Sequence, residues 1–134
     1  MSTPVNINKN DVKGVLTGID SIVIKRVIDT KTGGASLTID STEFDESAIS
    51  AGTIVLHNPT TNDYKPLGVL NGVLQSKPSG YEYYGIVIAT TPADMPMVGV
   101  LTNGVVNWKA MKYDISSILP EVKQALSFIQ FIED

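Results

Sequence analysis

Residues 97–131 decide the fold of this chain. They read MVGVLTNGVVNWKAM (97–111) and, after a polar break, ILPEVKQALSFIQF (118–131). Asn103-Gly104 separates two runs of β-branched residues, and both residue types tolerate the positive φ angles of a type I′ turn. We therefore predict a β-hairpin whose turn is formed by Asn103 and Gly104.

The segment that follows changes its period. Its apolar side chains recur at helical spacing, and Pro120 is compatible with a first helical turn. The residues with that spacing are Ile118, Val122, Ala125, Leu126 and Ile129. We expect the helix to end near Ser127, because residues 128–132 are apolar, aromatic and short, which favours a strand.

Composition restricts the class of protein. The 134 residues are 43% hydrophobic, which fits one globular domain with a modest core. There is no cysteine, so disulfides, thiolate metal sites and cysteine nucleophiles are excluded. The 14 acidic residues outnumber the 10 basic ones. Nucleic-acid binding requires clustered Lys and Arg, so we expect no such partner. No apolar run is long enough to predict a membrane span.

The remainder of the sequence predicts short strands separated by turns. We expect strands at 22–28, 35–40, 51–57, 64–70 and 82–89, the first two forming a hairpin and the last lying centrally. Pro66 cannot donate to a ladder, so its strand should lie at an edge. Residues 71–80 are predicted as a loop. The fold class is mainly β, a β-rich α+β domain that is barrel-like or sandwich-like, with one short helix near the C-terminus.

Two features invite a catalytic or metal-binding interpretation. Glu43, Asp45 and Glu46 surround Phe44, but neither calcium-loop nor zinc spacing is present. We predict a solvated loop with Phe44 packed inward. His57 is the single histidine, and we cannot place a nucleophile or second acid–base partner for it. We expect a polar tip on a strand, and therefore no catalytic residues, no metal and no cofactor.

A third feature is a group of tyrosines. Tyr81, Tyr83 and Tyr84 lie beside a glycine and could stack on a sugar ring. Such clusters are also frequent at the start of ordinary strands. The alternatives are a carbohydrate platform and a structural cluster.

Residues 1–13 are polar, and we separate them as an N-terminal arm from a single domain at 14–134. One interpretation is a frayed terminus. The other is an arm that becomes ordered on a partner, with Pro4, Val5, Asn6 and Ile7 in contact with it, because Val5 and Ile7 share one face of an extended segment.

The order of these signals resembles the head decoration protein D family of tailed phages and, more closely, the auxiliary capsid proteins called head fiber proteins. The segments that carry the resemblance are AGTIV (51–55) with YKP (64–66), YGIVI (84–88), VGVLTNGVVN (98–107) and the helix-then-strand ending at 121–132. Their order and spacing carry the signal, since no single segment is specific. Residues 1–17 have no counterpart.

The resemblance implies a non-enzymatic virion protein. Such a protein would form a homotrimer on the capsid exterior, bind the major capsid protein and decorate or stabilise the shell, after synthesis in the cytoplasm of the host bacterium. In that family the N-terminal segment becomes ordered on the shell, which favours the arm interpretation. A carbohydrate-binding or adhesive module displayed on a virion and directed at a host glycan remains the alternative, and an uncharacterised enzyme is a third.

Overall fold

A computed structural model describes residues 18–133. It confirms the mainly β class, with twelve strands, two α-helices and one 3-10 helix in this part of the protein. The helices are α1 (Gly18–Val23), a 3-10 helix (Trp108–Ala110) and α2 (Leu119–Ala125). The strands are β1 (Ile24–Thr30), β2 (Ala35–Ser36), β3 (Ala48–Ile49), β4 (Ile54–Asn58), β5 (Asp63–Pro66), β6 (Val69–Leu70), β7 (Val73–Leu74), β8 (Glu82–Val87), β9 (Thr91–Pro92), β10 (Met97–Val98), β11 (Val100–Asn107) and β12 (Ile129–Ile132).

One sheet organises the domain. Its antiparallel path runs β1-β11-β8-β4-β5, and β12 joins β11 in parallel beside the second half of that strand. β8 is therefore central and β5, with Pro66, lies at an edge, which confirms both predictions. A parallel neighbour requires a crossover connection, and the 3-10 helix and α2 supply it between β11 and β12.

Both faces of this sheet are covered. Ile54 and Leu56 of β4 belong to one buried cluster, which includes residues of α1, the 3-10 helix and α2. Val55, between them in sequence, belongs to a second cluster, which includes residues from the short strands β2, β3, β6 and β10. Alternate side chains of a strand point to opposite faces, so the two clusters lie on opposite sides of the sheet.

The hairpin predicted at Asn103-Gly104 is wrong. β11 continues without a break through both residues, with Asn103 opposite Asp29 and Gly104 opposite Val27. Neither residue has a positive φ. A turn here would remove the ladder contacts that β11 makes with β1 and β12, and these outweigh the local preference of the dipeptide.

A different Asn-Gly pair forms the tight turn. Asn71 and Gly72 join β6 to β7 with φ angles of 53° and 77°, the positive values that a type I′ turn requires at both central residues. The prediction of a loop at 71–80 is therefore wrong for Val73 and Leu74, which form β7. The flanking strands have only two residues each, so their β-pattern was too short to detect.

The hairpin predicted between the first two strands is also wrong. β1 pairs with β11, whereas β2 pairs with β10. A turn does separate the two strands, with Gly33 and Gly34 at positive φ, but after it β2 pairs with β10 and does not fold back onto β1. The helical turn α1 occupies the start of the predicted strand, and the predicted strand at 35–40 has only two paired residues.

The C-terminal prediction is confirmed. α2 contains Pro120 in its first turn and ends at Ala125, and β12 follows within the predicted range. Val122, Leu126 and Ile129 are buried in the first cluster, as helical spacing and the following strand require. No helix within residues 18–133 is long and apolar enough to span a bilayer.

Candidate functional site

The residues predicted for the arm, Pro4, Val5, Asn6 and Ile7, lie outside the described residues. The predicted domain boundary between residues 13 and 14 also falls there. The other predicted site residues lie within the described part of the protein. Besides them, the structure contains an aromatic cluster, a set of carboxylates and an exposed strand edge.

The three tyrosines do not form one platform. Tyr83 is buried in the first cluster opposite Leu56. Tyr81 donates its hydroxyl to Asp63 Oδ2 at 2.6 Å. Tyr84 packs against the second cluster, on the other face of the sheet from Tyr83. Alternation along β8 therefore separates residues that are adjacent in sequence.

A different aromatic group comes together on the second face, formed by His57, Tyr64 and Tyr84. The His57 and Tyr64 rings stack with centroids 4.5 Å apart, and Tyr84 meets Tyr64 edge-on at 5.2 Å. The ammonium of Lys31 lies 5.2 Å from the centre of the Tyr64 ring. Such contacts contribute about 0.5–1.5 kcal/mol per aromatic pair beyond the area that they bury. We call these three rings the aromatic cluster.

A β-bulge brings Tyr84 into this cluster. On β4, Val55 and Leu56 are consecutive, but their partners on β8 are Gly85 and Tyr83, so Tyr84 is the extra residue. A bulge of this kind redirects a side chain. Gly85, next to the bulge, allows β8 to lie close to β11, because a β-carbon there would lie 2.6 Å from the carbonyl oxygen of Leu101.

His57 has partners typical of a structural polar residue. Its Nε2 lies 2.9 Å from Asn62 Oδ1, and its Nδ1 lies 3.7 Å from Glu82 Oε2. Asn62 belongs to the turn after β4 and has a φ of 59°, so the histidine holds that turn against the strand. The prediction of a polar strand tip is confirmed by this placement.

The acidic loop is divided among separate partners. Glu43 pairs with Lys65 and Glu46 with Lys112, each at 3.0 Å, while Asp45 accepts the Asn71 backbone N–H. Phe44 is only 3% exposed, which confirms that it packs inward. Within residues 18–133, no group of three or more His, Asp or Glu side chains is placed to hold a metal ion.

Asp63 is a carboxylate with several hydrogen-bond donors around it. It accepts the Thr38 hydroxyl at 2.5 Å and the Tyr81 hydroxyl at 2.6 Å. Burial raises the pKa of Asp63, but the two hydroxyl donors and the nearby Lys65 together outweigh it and hold the pKa below its ordinary value of 3.8. The ionised carboxylate therefore joins the segment after β2 to the strand pair β4–β5.

The exposed edge of the sheet is formed by β1. Ile24 is buried, and every following residue of the strand is exposed, including Val27 at 48% and Ile28 at 58%. Phe128 is 75% exposed and lies on the other side of Gly104 from Val27, since its carbonyl accepts the Gly104 N–H. Phe128 therefore does not belong to the β1 edge, and we call Val27 and Ile28 the apolar edge patch. Exposed apolar side chains next to each other on an edge strand make this edge a candidate contact surface.

The backbone of this edge is not arranged for strand addition. The ladder between β1 and β11 changes register between Ile24 and Arg26, and again between Val27 and Asp29. Bulges and basic side chains are devices by which edge strands avoid pairing with other proteins. A partner at this edge would therefore contact the side chains rather than extend the sheet.

Sequence reasoning missed the edge patch and Tyr64. The patch had a readable signal, since Lys25-Arg26 inside a β-branched run is typical of an edge strand. Tyr64 lies opposite His57 in the hairpin of β4 and β5; the strand at 64–70 was expected to return beside the strand at 51–57, but the register that pairs these two residues was not predicted. No protein-family model, curated protein or solved structure matches this chain.

Proposed function

We propose that this protein is a structural, non-enzymatic component of a phage virion. It binds the outer surface of the capsid through the major capsid protein and decorates or stabilises the shell as a homotrimer. Its location would be the capsid exterior, after synthesis in the host bacterial cytoplasm. The proposal starts from the resemblance in the order of segments and takes its support from the arrangement of the described residues.

Two parts of the resemblance have structural counterparts. The segments at 51–55 and 64–66 contribute to the adjacent strands β4 and β5, and the ending at 121–132 contains most of α2 followed by β12. The segment at 98–107 was expected to form a hairpin but contains the whole of the continuous strand β11, so this part of the resemblance has no structural counterpart. The β-rich domain and the terminal helix–strand unit are therefore the features that support the proposal.

The apolar edge patch is the observation that carries the proposal. Two large apolar side chains of the edge strand β1, Val27 and Ile28, are exposed, and a contact with another copy would remove them from water. A closed threefold arrangement would cover them with the same residues of two further copies. The register shifts in β1 prevent open-ended strand addition, so a ring closed by side-chain contacts fits this edge better than a continuous sheet.

In a trimer, each contact with the shell could be weak and the whole assembly would still bind tightly. Each copy brings one arm, and three linked contacts raise the overall avidity by roughly 10²–10⁴ if the sites can be engaged together. The arm would add as a strand to an exposed edge of the coat protein. Its backbone hydrogen bonds would provide the affinity, and the side chains of Val5 and Ile7 would fix the register. The arm and the patch therefore have different partners, the shell and the other copies.

A virion-displayed carbohydrate-binding module is the second candidate, and the aromatic cluster is the observation that favours it. Its weakness is that His57 and Tyr64 stack on each other, so one face of each ring is already covered. A sugar would have to use Tyr84 and the outer edges of the other two rings. The predicted set of Tyr81, Tyr83 and Tyr84 is not a single surface of this protein.

One pair of measurements separates the candidates. The purified protein is mixed with expanded, undecorated shells and pelleted, and the same preparation is applied to a panel of bacterial surface glycans. We expect saturable co-sedimentation and no glycan binding. Glycan binding that Tyr84→Ala abolishes, with no binding to shells, would replace the capsid proposal with the adhesive one.

A further inference from the structure

Two Asn-Gly pairs occur in the sequence, and the fold gives them opposite environments. Asn71-Gly72 forms an exposed turn, whereas Asn103-Gly104 lies inside β11. We propose that Asn71 is a site of spontaneous deamidation and isomerisation, and that the fold protects Asn103 from the same reaction. This inference is independent of the proposed function.

The reaction requires only the protein and water. The backbone nitrogen of the following glycine, having lost its proton, attacks the carbonyl carbon of the Asn amide. A new C–N bond closes a five-membered succinimide, the original C–N bond of the amide breaks, and ammonia leaves. Water then opens the ring at either carbonyl and gives aspartate or isoaspartate. Glycine favours the reaction because it lacks a side chain that would hinder ring closure.

Asn71-Gly72 meets the structural requirements. Both residues are exposed, and they lie between the paired residues of β6 and β7. The Gly72 nitrogen is therefore outside the ladder, and a β-carbon at Gly72 would meet nothing within 4 Å, so the turn has room to change conformation. The hairpin has only two residue pairs, and such small surface elements open at a low free energy.

Asn103-Gly104 meets none of the structural requirements for this reaction. The nitrogen that would have to attack belongs to Gly104, and its N–H donates to the Phe128 carbonyl at 3.3 Å. Gly104 is buried and has β1 on one side and β12 on the other. Ring closure at Asn103 would require local opening of the central part of β11, which is among the most costly openings in a domain.

The product would alter the surface around the turn. The Asn71 N–H donates to Asp45 Oδ2 at 3.0 Å, so a carboxylate at position 71 would place like charges side by side. Isoaspartate also adds a methylene group to the main chain, and a two-residue I′ turn cannot accommodate it. The modified protein would therefore lose the β6–β7 hairpin and gain a negative charge there.

The test is incubation of the full-length protein at mildly alkaline pH, followed by peptide mass mapping and labelling with an isoaspartyl methyltransferase. We expect isoaspartate at residue 71, formed at least about tenfold faster than at residue 103. The same protein unfolded in guanidinium should react at both positions. Equal rates at the two positions in the folded protein would overturn the inference, as would an unreactive Asn71 over a period in which the unfolded protein reacts.

A matched variant controls the assignment. Asn71→Gly keeps a dipeptide that type I′ turns accept and removes the reactive amide. The folded variant should release ammonia at least about tenfold more slowly than the original protein, because the fast reaction is assigned to this exposed turn. Release at an unchanged rate would place the reaction elsewhere and overturn the proposal.

Discussion

Gly104 lies opposite Val27 in the ladder between β11 and β1, and the carbonyl oxygen of Arg26 occupies the space that a β-carbon at position 104 would need. The glycine is thus required by close approach of two backbones and not by a turn. The absence of a side chain at Gly104 lets β1, which carries the apolar edge patch, lie close to β11. A side chain at position 104 would therefore both destabilise the domain and displace the apolar edge patch.

Gly104→Val should destabilise the domain by about 1–3 kcal/mol, because β1 must move away to admit the side chain. Urea unfolding measures the loss. Gly99→Ala is the matched control, since a β-carbon there makes only ordinary contact with Ile88, and it should stay within about 0.5 kcal/mol of the original protein. Equal stability of the Gly104 variant and the control would contradict the close approach.

Asn103-Gly104 also shows what the sequence could and could not predict. Local signals identified β8, the Pro120 helix and β12, because their periodicity and flanking residues all point the same way. The Asn-Gly dipeptide only permits a turn. Whether one forms depends on pairing with β1 and β12, which lie far away in sequence. The same kind of long-range pairing placed β2 beside β10, and no local pattern contains it. The pairing of Tyr64 with His57, by contrast, lies within the short hairpin of β4 and β5.

Asp63 should make stability depend on pH in the acidic range. Its pKa in the folded protein is lower than its ordinary value of 3.8, so its contribution is fully present above that pH and is lost as the pH falls through the lower, folded-state pKa. Asp63→Asn should therefore be less stable than the original protein near neutral pH. The difference between their free energies of unfolding should disappear below about pH 3.8. Unfolding curves across this range measure it. If the difference in the free energy of unfolding stays constant down to the lowest pH measured, the charge of the carboxylate is not what stabilises this contact.

His57→Ala should leave shell binding unchanged. The variant loses the stack on Tyr64 and the contact with Asn62, which should cost about 0.5–1.5 kcal/mol of stability. Circular dichroism on heating checks the stability, and co-sedimentation checks the binding. Loss of shell binding in a folded variant would make His57 a contact residue instead.

The protein should sediment as a trimer, with a mass of three times 14.4 kDa. Replacing both Val27 and Ile28 with Asp should yield monomers, because charges at the apolar edge patch oppose its burial. Val73→Asp is the matched control, since Val73 is 62% exposed and lies on β7, outside the patch. A monomer at tens of micromolar that also fails to form trimers on shells would refute the trimer. Dissociation by the control variant would refute the assignment to the patch.

Deletion of residues 2–13 should leave folding and trimerisation unchanged but weaken shell binding at least tenfold, which corresponds to about 1.4 kcal/mol per site. Under the arm interpretation, fixing a residue on the shell would cost roughly 1–2 kcal/mol, and the proposed contacts with the shell would have to exceed that cost. Equal binding by the truncated protein would move the shell contact to the loops at 58–63 and 71–80.

The binding isotherm of the full-length protein on expanded, undecorated shells tests the central claim most directly. The truncated protein is measured beside it, with circular dichroism as the folding control. We predict saturable binding of the full-length protein, at a stoichiometry divisible by three, and an isotherm for the truncated protein shifted to at least about tenfold higher concentration. A folded full-length protein that shows no saturable binding to these shells would contradict the assignment to the capsid.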